Sequence, residues 1–358
     1  MNHHGVTILH SCTGAWLLVA GMSLVGCDAA AGTSDRPSGT GAGTVLTWTG
    51  SATPVSQDSG VSIELNNVTF GGDVGGNGLF VAVGEAGTIV TSPDGVTWTA
   101  QDSQTALNLY GVTYGNNEFV VVGGNDVAAA GVVLSGTSDG VTWTVEDVSG
   151  TLSESLTGVT YANGLYVAVG NNQIMTSGDG TSWRSLPTQP SGITGPTVDL
   201  YNTVYGNDLF VTVGTYNTST STQEIAYDGF IATSPDAMSW TILPYTPDYL
   251  SGVTYGPGQF VAVGREGSIL TSSDGTTWTP RSASALDTSE TPYLISVIYA
   301  GSQYVATGNY VGINPSTGFL MTSPDAQNWT VQPVESNVYA VAYGVVGDAG
   351  TYVAVGGE

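Results

Sequence analysis

Lysine is absent from this chain, and only four arginines stand against 29 acidic residues, a formal charge of −25. Such a surface repels a phosphate backbone, which excludes ordinary nucleic-acid binding. The acidity serves solubility and self-repulsion, with attraction of cations or of a basic partner as the alternative. Charged residues amount to only 9%, far below the usual quarter. Histidine occurs only at His3, His4 and His10, so the rest of the chain has none to offer a Ser-His or Cys-His pair or an ordinary zinc site. No D-x-[D/N]-x-[D/N]-G loop is present, and no glycine-rich phosphate loop joins a strand to a helix. No metal and no cofactor is therefore expected. Long apolar runs are missing too: Ala15–Cys27 is the longest, and it is too short to span a bilayer comfortably.

That run ends in small residues, as a cleaved export signal does. Leu24-Val25-Gly26-Cys27 resembles the lipobox of bacterial lipoproteins. The resemblance implies cleavage before Cys27 and acylation of its sulfur, although the preceding segment carries no Lys or Arg. An ordinary secretory signal, or a start codon placed elsewhere, is the alternative. The cysteine count agrees with export. Cys12 would leave with the signal, and Cys27 would remain alone, so no intramolecular disulfide is possible. Two or three acyl chains anchor stably where one does not. The expected organisation is a signal peptide over 1–26, a small and polar tether over 27–43, and one folded domain over 44–358. The expected location is a bacterial cell envelope, periplasmic or at the surface, with secretion as the alternative. Asp28 resembles an inner-membrane retention signal.

Glycine is abundant, with 51 residues, and no collagen period accompanies it. Two phrases alternate instead. The first is "FVAVG" or a variant, ending at Gly84, Gly123, Gly170, Gly214, Gly264, Gly308 and Gly356, with spacings of 39, 47, 44, 50, 44 and 48. The second is a box such as "SPDGVTW", ending at Trp98, Trp143, Trp183, Trp240, Trp278 and Trp329. A period of about 45 belongs to β-propellers. Within one period, from 107 to 145, four short strands can be read, separated by turns such as "NN" and "SDG". "GGDVGGNG" at 71–78 reads as a longer turn. The seventh unit is split. "YVAVGGE" ends the chain without a box, and "TVLTWTG" at 44–50 has Trp48 without the phrase before it. The fold predicted is all-β: a seven-bladed propeller of four-stranded antiparallel blades, closed by an N-terminal strand that joins the C-terminal blade and removes an open edge. An open row of units is the alternative.

Ser92-Pro93-Asp94-Gly95-Val96-Thr97-Trp98 resembles the Asp-box, or bacterial neuraminidase repeat, in a form one residue shorter. It is also similar to repeats of the photosystem II assembly and stability factor family. The resemblance covers about 310 residues by repetition, and it concerns fold more than function. The turn chemistry can be read directly. Asp94, Asp139, Asp179, Asp236, Asp274 and Asp325 are expected to accept backbone N–H groups one and two residues on. The next Gly tolerates positive φ. The tryptophans are expected to wedge between blades, each burying about 150–250 Å², or roughly 4–6 kcal/mol. These twelve residues read as structural.

In such a blade the box lies at the periphery, and the opposite face carries the second-to-third-strand loops and the blade connections. Those loops are short in odd blades and long in even ones, and function concentrates on such loops. Candidate ligand-binding residues there are Tyr216, Tyr227, Phe230, Tyr245, Tyr249, Tyr293 and Tyr310, which suit a protein surface or a glycan. Glu85 and the pair Arg265-Glu266 sit near the expected axis, as an exposed ion pair or as the lining of a funnel. A sialidase needs three arginines on the substrate carboxylate and a tyrosine nucleophile. Arg184 and Arg281 sit beside boxes, and the F-R-I-P motif is absent. A paired-carboxylate glycosidase remains open. The reading is a monomeric binding scaffold for a protein or carbohydrate, touching the membrane only through its anchor. An envelope assembly factor is the alternative within binding, and a carbohydrate-active enzyme the alternative outside it.

Overall fold

The computed structural model describes residues 42–357, apart from 51, 75–76, 126–129, 149–151, 153, 187–197, 218–226, 244–248, 287–289 and 312–316. The calls on 1–41, Cys27 included, lie outside the described residues, as does Tyr245.

Seven four-stranded antiparallel sheets form a ring. Six are built from consecutive strands. Their inner strands are Leu65–Val74, Asn108–Gly115, Leu156–Ala162, Val198–Gly206, Leu250–Gly256 and Thr291–Ala300, and we number these blades I to VI. Blade VII takes its two inner strands, Asn337–Val346 and Ala349–Gly357, from the C-terminal part of the chain. Its third and outer strands come from Gly43–Thr49 and Val55–Asp58. The closure predicted is therefore present, with two N-terminal strands rather than one. The polar outer strand "VSQD" shows no alternation that would mark it in the sequence.

Each second strand is apolar and covered on both faces, as its β-branched run requires. Seven apolar clusters follow, one in each crevice between neighbouring blades. Leu79, Val81 and Ile89 of blade I, for example, meet Leu109, Phe119 and Trp143 of blade II. Blade VII closes on blade I through Val45, Val353 and Val355 against Leu65, Phe80 and Val90. The stability of the ring thus lies between the sheets.

The repeat glycine that ends each second strand has a steric reason. A Cβ at Gly84 would lie 2.1 Å from the carbonyl oxygen of Glu64, and one at Gly264 would lie 1.8 Å from that of Tyr249. The backbone must pass this close because each inner strand carries a bulge just beside it. "GGDVGGNG" is not the longer turn expected. The strands run on to Val74 and restart at Asn77. Gly71 stays bare because the Tyr114 ring of blade II lies over it, 2.3 Å from where a Cβ would be.

The six boxes are turns between third and outer strands. Ser92 Oγ accepts the N–H of Gly95 at 2.8 Å and donates to Asp94 Oδ1 at 3.0 Å. Asp94 Oδ1 in turn accepts the N–H groups of Val96 and Thr97 at 2.8 and 2.7 Å. The bonded amides are therefore two and three residues on, not one and two, because the intervening Gly95 turns away with φ 76°. Asp179, Asp236, Asp274 and Asp325 repeat the pair. The indole N–H of Trp98, Trp143, Trp183, Trp240 and Trp278 donates to the carbonyl three residues back. That of Trp329 is buried without a partner.

Trp48 is not a seventh box tryptophan. It lies on the third strand, opposite Tyr352, at the register that Ser92 holds opposite Phe80. Its ring stacks on Tyr352 at 5.2 Å and 11°. An indole fills the crevice again, delivered from a different strand.

Box geometry has a pH signature. Backbone N–H bonds hold Asp179, Asp236, Asp274 and Asp325 below the usual carboxylate range. The Thr137 hydroxyl is the first cause for Asp139. At Asp94 desolvation pushes upward, and the hydrogen bonds outweigh it. Folded-state values below the unfolded one give stability that is complete above about pH 4 and is lost as pH falls through the folded values. Glu85 and Glu118, raised by burial, act with the opposite sign: what they contribute is lost as pH rises through their folded values. Among the described carboxylates with a resolved shift, six are lowered and two raised. The melting temperature should fall steeply below about pH 4, and Asp179→Asn with Asp274→Asn should flatten that fall. An unchanged slope in thermal melts of the double variant counts against the box carboxylates.

Candidate functional site

Antiparallel alternation sorts the connections onto two faces. Hairpin turns and boxes share the lower face. Second-to-third-strand loops and blade connections share the upper face, where the candidate residues were expected.

The axis is built by a feature that sequence reasoning missed. In every inner strand the register slips by one residue, at Asn66, Tyr110, Thr157, Tyr201, Ser251, Ile295 and Tyr339. A bulge re-aims its extra side chain, and six of the seven border a cavity on the axis. Short polar ones bridge blades. Asn66 Nδ2 donates to the carbonyl of Leu109 at 3.0 Å, Ser251 Oγ to that of Leu294 at 2.6 Å, and Thr157 Oγ1 to that of Leu200. Tyr110, Tyr201, Ile295 and Tyr339 line an axial cavity of about 50 Å³ together with Tyr249 and Tyr293. That volume takes a few waters and falls well below the roughly 300 Å³ of a small-molecule pocket. The signal was present in the repeated "LNNV", "LYGV", "LTGV", "LSGV" and "LISV", where the second position varies in chemistry while the first and last stay Leu and Val.

On one side of the axis three tyrosines and one arginine gather. Tyr201 stacks on Tyr249 at 5.3 Å and 21°, and Tyr293 meets Tyr249 edge-on at 5.7 Å and 88°. The Arg265 guanidinium carbon lies 4.6 Å above the Tyr249 ring and 5.4 Å from that of Tyr293. Such cation–π contacts are worth about 0.5–2 kcal/mol. The backbone fixes Arg265 there. Its N–H donates to the Tyr249 carbonyl at 3.0 Å, and the tight loop Gly264–Ser268 closes on itself through Ser268 N–H to the Arg265 carbonyl at 3.0 Å. Glu266 and Gly267 make the loop possible with φ 56° and 73°. Burial first, then nearby negative charge and neighbouring tyrosine, keep the Tyr201 and Tyr249 hydroxyls from ionising. They remain neutral donors at any working pH.

Two clefts lie on blades V and VI. One, of about 470 Å³, is lined by Glu266, Arg281, Leu286, Glu290 and Pro292. The other, of about 690 Å³, is lined by Glu290, Tyr310, Val331, Pro333 and Glu335. Glu290 borders both.

Of the expected residues, Tyr249, Tyr293 and Arg265 are brought together here, and Glu266 follows Arg265 in the same tight loop; Tyr310 packs on Phe319 at 4.8 Å and borders the second cleft. Phe230 is not a loop residue: it is 6% exposed, in the core between blades III and IV, because its strand position points inward. Tyr216 packs half-buried against that same core. Tyr227 lies on the third strand of blade IV, and its side chain is outside the described residues. Glu85 sits on the short loop of blade I, with blades VI and VII between it and Arg265. Arg265 stacks on tyrosines. Arg184 and Arg281 stand on the outer strands of blades III and V, so no arginine triad forms among the described residues. No group of three His, Cys, Asp or Glu suited to a metal occurs among them either.

No family model matches this chain, and no curated protein does. Solved structures do. YCF48 bound to D1 peptide matches with a TM-score of 0.55 at 18% identity, over 82% of this chain and 92% of that one. YCF48 from Cyanidioschyzon merolae matches at 0.55 and 16%, over 83% and 95%. The GH74 xyloglucanase from Xanthomonas campestris matches at 0.55 and 14%, over 82% of this chain but 51% of the enzyme, so this chain spans about half its length. What they share is the propeller. At these identities the likeness is one of fold, and the propeller carries many functions.

Proposed function

We propose that this protein is an exported, lipid-anchored propeller that binds a segment of another protein across the upper face of blades V and VI. The observation that carries the reading is the Tyr201–Tyr249–Tyr293 cluster capped by Arg265, lying between the axis and the cleft bordered by Glu266 and Pro292. Stacked tyrosines and one arginine supply rigid, amphipathic contact area of the kind that dominates protein interfaces. Both clefts are open and share Glu290, which suits an extended chain better than a compact ligand. A propeller of like fold, YCF48, has been solved with a D1 peptide bound, which supports a polypeptide ligand over a glycan. The role of an envelope assembly factor is one form of this reading.

The test compares two variants in pull-downs from the native envelope. Arg265→Glu should lose at least one partner that the parent retains, while Val96→Glu, on an exposed box turn of the lower face, keeps it. Equal retention by both variants argues against the upper face. Hydrolysis in a panel of chromogenic glycosides would redirect the reading to catalysis.

A further inference from the structure

By repeat register, the residue just before each second-strand aromatic is set against the aromatic of the next blade, and the two match in chemistry. Leu79, Leu165 and Leu209 share apolar clusters with Phe119, Phe210 and Phe260. Thr351 holds this position before Phe80. Where the next aromatic is a tyrosine, the position is polar: Glu118 before Tyr166, Gln259 before Tyr304 and Gln303 before Tyr352. These three tyrosines are 0, 1 and 1% exposed, so their hydroxyls have to find partners inside the seam.

The seam between blades VI and VII shows the complete arrangement. Tyr352 donates its O–H to the Ala300 carbonyl at 2.8 Å and accepts the Gln303 Nε2–H at 3.2 Å. Between blades V and VI, Gln259 lies beside the Tyr304 hydroxyl, which finds no bond of good geometry, and donates its Nε2–H to the Asp325 carbonyl at 3.2 Å. Both seams therefore place an amide donor here. The seam between blades II and III repeats the pattern with a carboxyl in place of the amide. Tyr166 makes its shorter contact to the Gly115 carbonyl, and Glu118 Oε1 lies 3.2 Å from the same hydroxyl. The phenol has one proton to give, and the carbonyl takes it. A carboxylate would pull that proton into a bond of about 2.5–2.7 Å. A carboxylic acid donates its own proton instead and reproduces the glutamine.

Glu118 is half-buried, and its Oε1 lies 2.3 Å from where a Cβ would stand on Gly180, in the blade III box. The charged groups acting on it are two further acids, Asp179 and Glu146. The neutral phenols Tyr114 and Tyr161 act on the Tyr166 hydroxyl. Burial first, then the two acids, outweigh the Tyr166 bond and hold the carboxyl above the usual glutamate range.

We infer that Glu118 is a proton-operated latch: with its proton it donates to Tyr166 and closes the seam between blades II and III, and on losing that proton to solvent it competes with Gly115 for the tyrosine and loosens that seam alone. The other six seams carry no ionisable group at this position. Stability from a raised carboxyl is complete below its unfolded value of about 4.3 and is lost as pH rises through the higher folded value. The latch therefore opens toward neutral and alkaline pH, opposite in sign to the box aspartates.

The test uses the full chain between pH 5 and 8, with thermal melts and with hydrogen exchange corrected for the intrinsic rate at each pH. Glu118→Gln should melt close to the parent at pH 5 and about 2–4 °C above it at pH 8. Parallel curves overturn the inference. So does a Glu118→Gln chain that fails to fold, because two seams hold glutamine at this place. The double variant Glu118→Leu with Tyr166→Phe rebuilds the Leu–Phe pairing of three other seams, and it should gain on the parent with rising pH in the same way. A double variant that keeps the parent's slope assigns the titration to another group, such as Glu85. In the parent, exchange over 115–119 and 166–170 should rise by about threefold or more from pH 5 to 8 relative to 300–304 and 352–356, the glutamine-held seam, and Glu118→Gln should remove that rise. Equal change in both seams shows that no local latch exists.

Discussion

A chain that starts at residue 61, without Gly43–Thr49 and Val55–Asp58, is expected not to fold as a monomer. The loss is concentrated. Val45, Leu46 and Trp48 are 0, 6 and 6% exposed, and burying three such side chains is worth about 5–9 kcal/mol together. A whole domain is stable by only about 5–15 kcal/mol. The seven-residue pairing of Gly43–Thr49 with the last strand is lost as well, which leaves Thr351–Gly357 as an exposed apolar edge. Such an edge pairs with other chains. The measurement is a thermal melt with size-exclusion chromatography. Aggregated or molten material is the expected outcome, and a peptide spanning 42–60 added during refolding should recover the monomer by supplying the strands in trans. A cooperative melt within a few degrees of the full chain would show that the ring does not depend on this seam.

Trp143→Ala should cost about 3–5 kcal/mol, the usual range for emptying a buried aromatic site. That corresponds to roughly 5–15 °C in melting temperature. Trp98→Ala should cost about half as much. The two residues occupy the same place in the repeat, so the sequence predicts equal wedges. The structure separates them: Trp143 is 1% exposed against Phe119 and the strands of blade I, whereas Trp98 is half-buried at the seam between blades VII and I. Equal shifts in both variants would mean that burial does not govern the wedge. Neither change should affect binding on the upper face, since both rings sit on the lower side of the crevice.

Repetition is what made the architecture legible. A phrase returning every 39 to 50 residues reveals blades because each blade must satisfy the same contacts with its neighbours, and an incomplete unit at each end reveals the closure. The box turn was readable for the same reason, though the two bonded amides lie one residue further on than expected. What repetition hid was the site. Function in a ring of near-identical units sits at positions where the units differ, and one sequence offers no way to tell a variable lining residue from a variable surface residue. Tyr110, Tyr201 and Tyr339 passed unnoticed because only a bulge turns them to the axis. Phe230 was misassigned because a long loop sequence concealed where its strand resumes.

By itself the sequence determined the all-β class, the count of seven, the seam between the two ends and the exclusion of histidine chemistry. These follow from local turn chemistry and short-range periodicity, which one linear chain carries in full. Only the tertiary structure decided that Arg265 rests on Tyr249 and Tyr293 and that two clefts share Glu290. Those depend on which side of a sheet a residue falls and on residues far apart in the chain meeting across the ring. A single register slip of one residue sets the first, and closure of the circle sets the second.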